Sequence, residues 1–552
     1  MNTNKNLTIE ETFNLAIKNH QENKIDIAQE LYNQVLKIDP THSQALNNIG
    51  VIFTNSLEYQ KAKIRYEKAI EIDPKYADAH NNLGTTFKEL GDYQKAKSCY
   101  EKAIEIDPKY ADAHNNLGII FYNLGNLPKA INNYEKAIEI NSNIPNYHNN
   151  LGTTFKALGD YSKAINYYKK AIEVDPKYPD AHNNLGTTFK ELGDYQKAIN
   201  YYKEAIKIDP NYVNSHKNIT LAYINQLDLD NSINSSYRVL KTFRHESKFI
   251  NQSIPLFRLK HDVQQAQYLI SKNYKIDGVN KFEKTGGEIL HREENKEDEN
   301  NYKKKILLNH KEIDDLLPFY KSDYIYKTKK ISGSHINSNK NWQEVENEYF
   351  NSSNQIMYID NFLSEEALQE LYEFCLISKV WNTEYYNPFL GAYADQGFIS
   401  PIHLQIAIEL KQKLPKLFGP HILGQFWGFK YDSTLGKGIK VHADFALHNL
   451  NFWITPDEYN NNKNSGGLKV YDVPAPDNRT FKDYNSDSNK IYNFLKDNNA
   501  KCINIPYKFN RAVLFNSAYF HETDSIDFKD VYEGRRINNT YLFGNRLVKK
   551  NK

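Results

Sequence analysis

The strongest constraint on the fold of this chain is a period of 34 residues that runs through its first half. The run Asp73-Pro-Lys-Tyr-Ala-Asp-Ala-His-Asn-Asn-Leu-Gly recurs at Asp107 and, nearly unchanged, at Asp175. Degenerate copies begin at Asp39, Asn141 and Asp209, and residues 7–38 supply one more. The apolar spacing predicts two amphipathic helices per unit, the first broken at Gly91-Asp92 and the second ended by Asp107-Pro108. One hairpin cannot bury its apolar face alone, so the period predicts stacked hairpins with a continuous core and a concave groove. The last copy departs from the pattern: Gln226-Leu-Asp replaces the glycine turn, and Ser232 and Ser236 take the slots of Ala96 and Tyr100. It is expected to cap the array.

One polar position recurs with the period. Asn48, Asn82, Asn116, Asn150, Asn184 and Asn218 hold the same offset in six successive units, one that would face the groove. A side-chain amide is both donor and acceptor, so such a column can pair with the backbone of an extended peptide. The alternative is a copied surface residue that serves hydrogen bonds between repeats.

Leu83, Gly84, Phe87, Ala96, Tyr100, Ala103 and Pro108 give residues 7–242 a pattern that resembles the tetratricopeptide repeat. The asparagine column is similar to the ladder in the repeats of O-linked N-acetylglucosamine transferase. The resemblance implies a protein or peptide partner held by the array.

From residue 243 to 355 the periodicity fails, and a helical, charged connecting region is expected. The run that starts at Arg292 is most simply a solvated helix or a mobile linker. Two His-x-acid pairs lie here, His291/Glu293 and His310/Glu312. In a helix, i and i+2 point about 200° apart, so neither pair is placed to chelate, and both are expected on the surface.

At residue 356 the pattern changes to strand, cap and helix, with helices expected over 364–378 and 400–414. Short alternating segments follow at 425–432, 438–445, 447–455, 467–473, 501–506, 510–516 and 535–544, which predict an all-β barrel. In Ile439-Lys-Val-His-Ala-Asp-Phe, an extended chain would turn His442 and Asp444 to one face. With His521 as the candidate third ligand, two histidines and one carboxylate leave open positions at iron(II).

His442-Ala-Asp444, distal His521, the strand Ser465-Gly-Gly-Leu-Lys-Val-Tyr and the closing run Gly534-Arg-Arg-Ile-Asn-Asn-Thr-Tyr resemble the iron(II)/2-oxoglutarate dioxygenases, in particular their prolyl hydroxylase branch. The resemblance spans residues 356–547 and implies a double-stranded β-helix (jelly roll) with flanking helices. It implies Fe(II) held by His442, Asp444 and His521, with 2-oxoglutarate as cofactor. The distal carboxylate of that cofactor needs a buried cation, and arginine suits it because its fork pairs bidentately. Arg535 and Arg536 are both available, and strand alternation lets only one point inward. The family pattern Gly-x-Arg-Ile-x-x-Thr selects Arg536, with Thr540 on the same face; family position adds Asn451 and Trp453.

The whole chain is thus expected to be multidomain: an N-terminal all-α solenoid, a connecting region and a C-terminal β domain. The expected function is hydroxylation of a protein or peptide that the repeats recruit. The alternatives are a non-catalytic repeat scaffold with a relict barrel, and an oxygenase of a small molecule or glycan. The balance of 70 basic and 68 acidic residues leaves no electrostatic footprint for nucleic acid or an acidic membrane. No run is long and apolar enough to span a bilayer, and the first residues carry no apolar signal segment. Three cysteines in no paired spacing suit a reducing compartment, so a cytoplasmic location is expected.

Overall fold

In the computed structural model the described residues are 7–245, 253–294, 304–385, 389–432, 438–476, 485 and 487–544. The chain divides into two compact units, residues 1–209 and 210–552.

In the first unit the 34-residue period folds into six helical hairpins. They run from α1 (Ile9–Gln21) and α2 (Ile25–Ile38) to α11 (Pro179–Glu191) and α12 (Tyr195–Ile208). Between α5 (Ala77–Glu89) and α6 (Tyr93–Ile106), Gly91 takes φ +80°, and Asp92 caps α6 by accepting from the Lys95 N–H. The second to sixth hairpins each close on a glycine–tyrosine contact. A Cβ on Gly84 would lie 2.7 Å from the Tyr100 ring, and the same fit recurs at Gly50/Tyr66, Gly118/Tyr134, Gly152/Tyr168 and Gly186/Tyr202.

The second unit begins with a seventh hairpin, α13 (Val213–Gln226) and α14 (Leu229–His245), which completes fourteen repeat helices among the described residues. This hairpin does not end in solvent as a cap would. Ser236 Oγ donates to the Ala394 carbonyl (2.5 Å) and accepts from the Gly397 N–H (2.7 Å), and Tyr237 OH donates to Ile399 O at 3.0 Å. A serine in the slot that tyrosine fills elsewhere lets the 394–397 turn approach, and Leu240 occupies the space a Cβ on Gly397 would need. The unit boundary therefore falls before the last repeat and not at residue 242.

Residues 253–294 and 304–351 contribute to the domain core. They form α15 (Leu256–Ser271), α16 (Val279–Glu294), α17 (His310–Lys321), α18 (Trp342–Asn351) and the paired strands β1 (Ser253–Pro255) and β2 (Lys305–Leu307). Leu259, Phe282 and Leu316 join one cluster with Phe374 of α19 (Glu365–Ile377) and Leu410 of α20 (Pro401–Lys413). Of the two His-x-acid pairs, His291 and His310 are exposed and Glu312 closes an exposed capping box with Asn309, whereas Glu293 is buried against Arg292 and Lys304. The charge run beyond residue 294 lies outside the described residues.

Seven strands make one antiparallel sheet: β3 (Ile356–Ile359), β4 (Thr383–Glu384), β5 (Phe389–Tyr393), β6 (Leu423–Tyr431), β7 (His448–Trp453), β10 (Ala512–Asn516) and β12 (Ile537–Phe543). Their spatial order is β3-β10-β7-β12-β6-β5-β4. A smaller antiparallel sheet has the order β11 (Tyr519–Thr523), β8 (Leu468–Pro474), β9 (Cys502–Ile505), with α21 (Ser488–Asp497) before β9. Side-chain alternation sorts the large sheet into two buried faces. Phe426, Leu450, Phe452, Leu514 and Tyr541 join the helical core. Trp427, Phe429, Trp453, Val513 and Phe515 meet Leu468, Val470 and Ile505 of the small sheet. The candidate site lies between these two sheets.

Candidate metal centre

His442, Asp444 and His521 converge, each offering one ligand atom within 4.8 Å of the others. Asp444 Oδ1 is 3.9 Å from His442 Nε2, and Asp444 Oδ2 is 3.4 Å from His521 Nε2. Both imidazoles are oriented by backbone: His442 Nδ1 lies 2.8 Å from the Lys440 carbonyl and His521 Nδ1 lies 3.0 Å from that of Tyr519. A carbonyl can only accept, so each Nδ1 carries the proton and each Nε2 presents a lone pair. Burial, reinforced by the nearby His521, pushes the His442 pKa down to about 4. Burial alone would raise the Asp444 carboxyl, but the neighbouring His521 and His442 and the bond from Asn449 hold it below its ordinary value. Two imidazole nitrogens and a carboxylate form the donor set that a divalent transition metal takes.

The segment 438–445 is not the strand its alternation predicts. Its contact with β11 is an isolated bridge, His442 with His521. On its other side the Asn485 side chain takes both backbone groups of Ala443, at 3.0 and 2.8 Å, where a neighbouring strand would otherwise pair. Strand β11, which carries His521, was absent from the expected set. A register shift between Tyr519 and His521 in β11 marks a bulge that re-aims the ligand. Asn449 of β7 donates to Asp444 Oδ2 at 2.5 Å. It was visible in sequence only as a residue sharing a face with Asn451.

The same cleft, with a free volume of about 30 Å³, is lined by the triad and by Asn451, Asn538, Thr540 and Arg536. Arg536 is 1% exposed. Its Nε donates to Gly466 O at 2.5 Å and its Nη2 to Gly467 O at 3.3 Å, while Nη1 has no partner. Among the described residues no carboxylate pairs with it, and burial lowers its pKa. The Gly-Gly pair is needed for close approach: a Cβ on Gly467 would lie 1.8 Å from the Ile505 carbonyl. Arg535 faces elsewhere, bonded to Asp432 at 3.1 Å and to Gln264. Thr540 donates to Asn451 Oδ1 (2.6 Å), which also accepts from Asn538 (2.9 Å). Trp453, expected in the pocket wall, is fully buried behind it, its ring 5.5 Å from the Arg536 guanidinium. A buried guanidinium with an unused N–H and no counter-ion fits a carboxylate-bearing cofactor.

In the repeat units the asparagine column links neighbours. Nδ2 of Asn82, Asn116, Asn150 and Asn184 donates to Oδ1 of Asn47, Asn81, Asn115 and Asn149 at 2.9–3.0 Å, and Asn48 donates to the Tyr32 hydroxyl. The missed partners are the asparagines one position earlier, a second periodic column. Asn218 lies in the second unit.

The helical hairpins are tetratricopeptide repeats across residues 43–212. Residues 84–125 and 152–193 match the family described as TPR repeat, and 43–76, 66–98, 111–144, 133–166 and 179–212 match families described as tetratricopeptide repeat. No curated protein sequence matches the chain. Among solved structures it is similar to YrrB, described as a TPR protein with an unusual peptide-binding site, at 23% identity over 33% of this chain and 95% of that one (TM-score 0.28). It is also similar to PilF of Pseudomonas aeruginosa, at 20% identity over 38% of this chain and 95% of that one (TM-score 0.34). A thermophilic TPR protein of Thermus thermophilus matches at 20% identity over 33% and 98% (TM-score 0.30). No helix among the described residues is long and apolar enough to cross a membrane.

Proposed function

We propose that this chain is an iron(II)- and 2-oxoglutarate-dependent oxygenase, its two facing sheets a double-stranded β-helix, that hydroxylates a protein or peptide recruited by the repeats. The observation that carries the reading is one cavity lined both by the His442–Asp444–His521 triad and by Arg536, a buried cation that forms no ion pair with a carboxylate among the described residues. When bound, iron(II) and 2-oxoglutarate would supply, with dioxygen as oxidant, decarboxylation to succinate and carbon dioxide, one oxygen atom going to succinate and the other into a C–H bond.

The chain's own groups have definable parts in this. The Nε2 atoms of His442 and His521 and the Asp444 carboxylate would hold the ion on one side, leaving positions open on the other. Arg536 would receive the distal carboxylate of the cofactor, and Asn451 and Thr540 would line its path. Aromatic walls from β6 keep water out of the cleft. The repeats support the recruitment half of the reading, since stacked hairpins offer an extended surface for a peptide. Asn82, Asn116 and Asn184 spend an amide N–H on the neighbouring repeat, which leaves their side-chain carbonyls to accept from such a peptide.

A non-catalytic scaffold would explain the repeats but not the uncompensated Arg536. The reading is tested by titrating 2-oxoglutarate into the iron(II)-loaded protein without oxygen. Stoichiometric binding that requires the metal is expected; no binding would refute the assignment.

A further inference from the structure

Apart from the triad and the groups assigned to the cofactor, one buried donor in the cavity lacks a partner. Trp427 is 9% exposed and lines the cavity, and its indole Nε1 meets no acceptor among the described residues. Strand pairing sets it between Thr540 of β12 and Tyr393 of β5. Thr540 is already committed to Asn451 and Asn538. Buried N–H groups are almost always satisfied, so this one points to an oxygen brought by a ligand. It sits on β6, one strand over from Thr540 of β12 and two from Asn451 of β7.

The surrounding wall limits what that ligand can be. Phe429, Ile439 and Leu468 are apolar, and Asp444 is the single carboxylate among the lining residues, already paired with two histidines. A cationic group would meet the buried Arg536 and find no counter-charge, and an anionic one would compete with the cofactor for that arginine. An uncharged group that carries a carbonyl oxygen suits the space.

Resting on the oxygenase reading, we propose that Trp427 is a specificity-determining residue whose indole N–H holds a carbonyl oxygen of an uncharged, apolar amino-acid residue as substrate. The test uses the full chain with iron(II), 2-oxoglutarate and oxygen. The probes are N-acetyl N-methylamides of leucine, phenylalanine, lysine and glutamate, and succinate release above the probe-free rate is followed. The leucine and phenylalanine probes are expected to stimulate and the charged ones not. In Trp427→Phe the KM for the leucine probe should rise about tenfold, as loss of one hydrogen bond implies, without a matching rise in the KM for 2-oxoglutarate. A ligand-side control leaves the protein intact: replacing one of the two probe carbonyls by a thiocarbonyl should cost the wild type about as much and cost Trp427→Phe little. Stimulation by the charged probes, by none of the four, or undiminished in the variant would overturn the proposal. So would a raised KM for 2-oxoglutarate, which would put the donor on the cofactor. Absence of 2-oxoglutarate turnover in the wild type would instead remove the oxygenase reading itself, and this proposal with it.

Discussion

His442 and His521 exchange both backbone hydrogen bonds, at 3.0 and 2.7 Å, and their rings lie 4.3 Å apart. The main chain thus brings two candidate ligands together, and Asn449 fixes the third by its bond to Asp444. Replacing His442, Asp444 or His521 by alanine is therefore expected to weaken iron(II) binding by more than Asn449→Ala does. The latter should cost about 10–100-fold, as outer partners of metal ligands do. Anaerobic calorimetry measures both, and unchanged affinity in the alanine variants would contradict the site.

The adjacent arginines should separate cleanly. Arg536→Ala removes the cation facing the cavity and should weaken 2-oxoglutarate by about 100-fold, roughly the worth of a charged hydrogen bond, with iron(II) affinity unchanged. Arg535→Ala instead removes one partner of a buried ion pair with Asp432 and should destabilise the fold by about 3 kcal/mol. Cofactor titration and urea unfolding of the two variants check the contrast.

Acid should destabilise the second unit through buried neutral histidines. Burial pushes the pKa of His403, which is inaccessible on α20, down from 6.5 to about 3. The folded state holds the ring neutral while the unfolded chain takes up a proton below about 6.5. Between those values the unfolded state binds more protons, so stability is full above the window and falls as pH drops through it. For this one group the loss at pH 5 is about 2 kcal/mol. Urea midpoints at pH 7 and pH 5 should differ less in His403→Phe than in the wild type.

In the first unit, Gly84→Ala drives a methyl against the Tyr100 ring and should cost about 1–3 kcal/mol. Asn116→Ala removes one link between neighbouring repeats and should cost about 1 kcal/mol. Thermal melts of the full chain monitored by circular dichroism give both. A larger loss at Asn116 than at Gly84 would mean that the column matters more to stacking than the glycine–tyrosine contact.

The repeats were legible because each unit restates the same local rules: a glycine turn, a cap, an Asp-Pro stop. What the last copy packs against was not legible, because the turn at Ala394 and Gly397 that Ser236 touches is more than 150 residues away in sequence. The helices of 253–351 hid for another reason: α15 buries Arg258, His261, Asp262 and Gln265, so its inward face does not read as apolar. At the site, family position could not show that Trp453 lies behind Arg536 and not in the wall. Nor could period-two alternation distinguish a strand at 438–445 from a segment whose edge a side chain occupies. Trp427 reads as core from sequence, and only its unsatisfied Nε1 sets it apart.

The central claim rests most directly on turnover. The full-length protein, given iron(II), 2-oxoglutarate and oxygen, should release succinate, and Asp444→Ala should not. Equal release by the two proteins, or none by the wild type with iron bound, would contradict it.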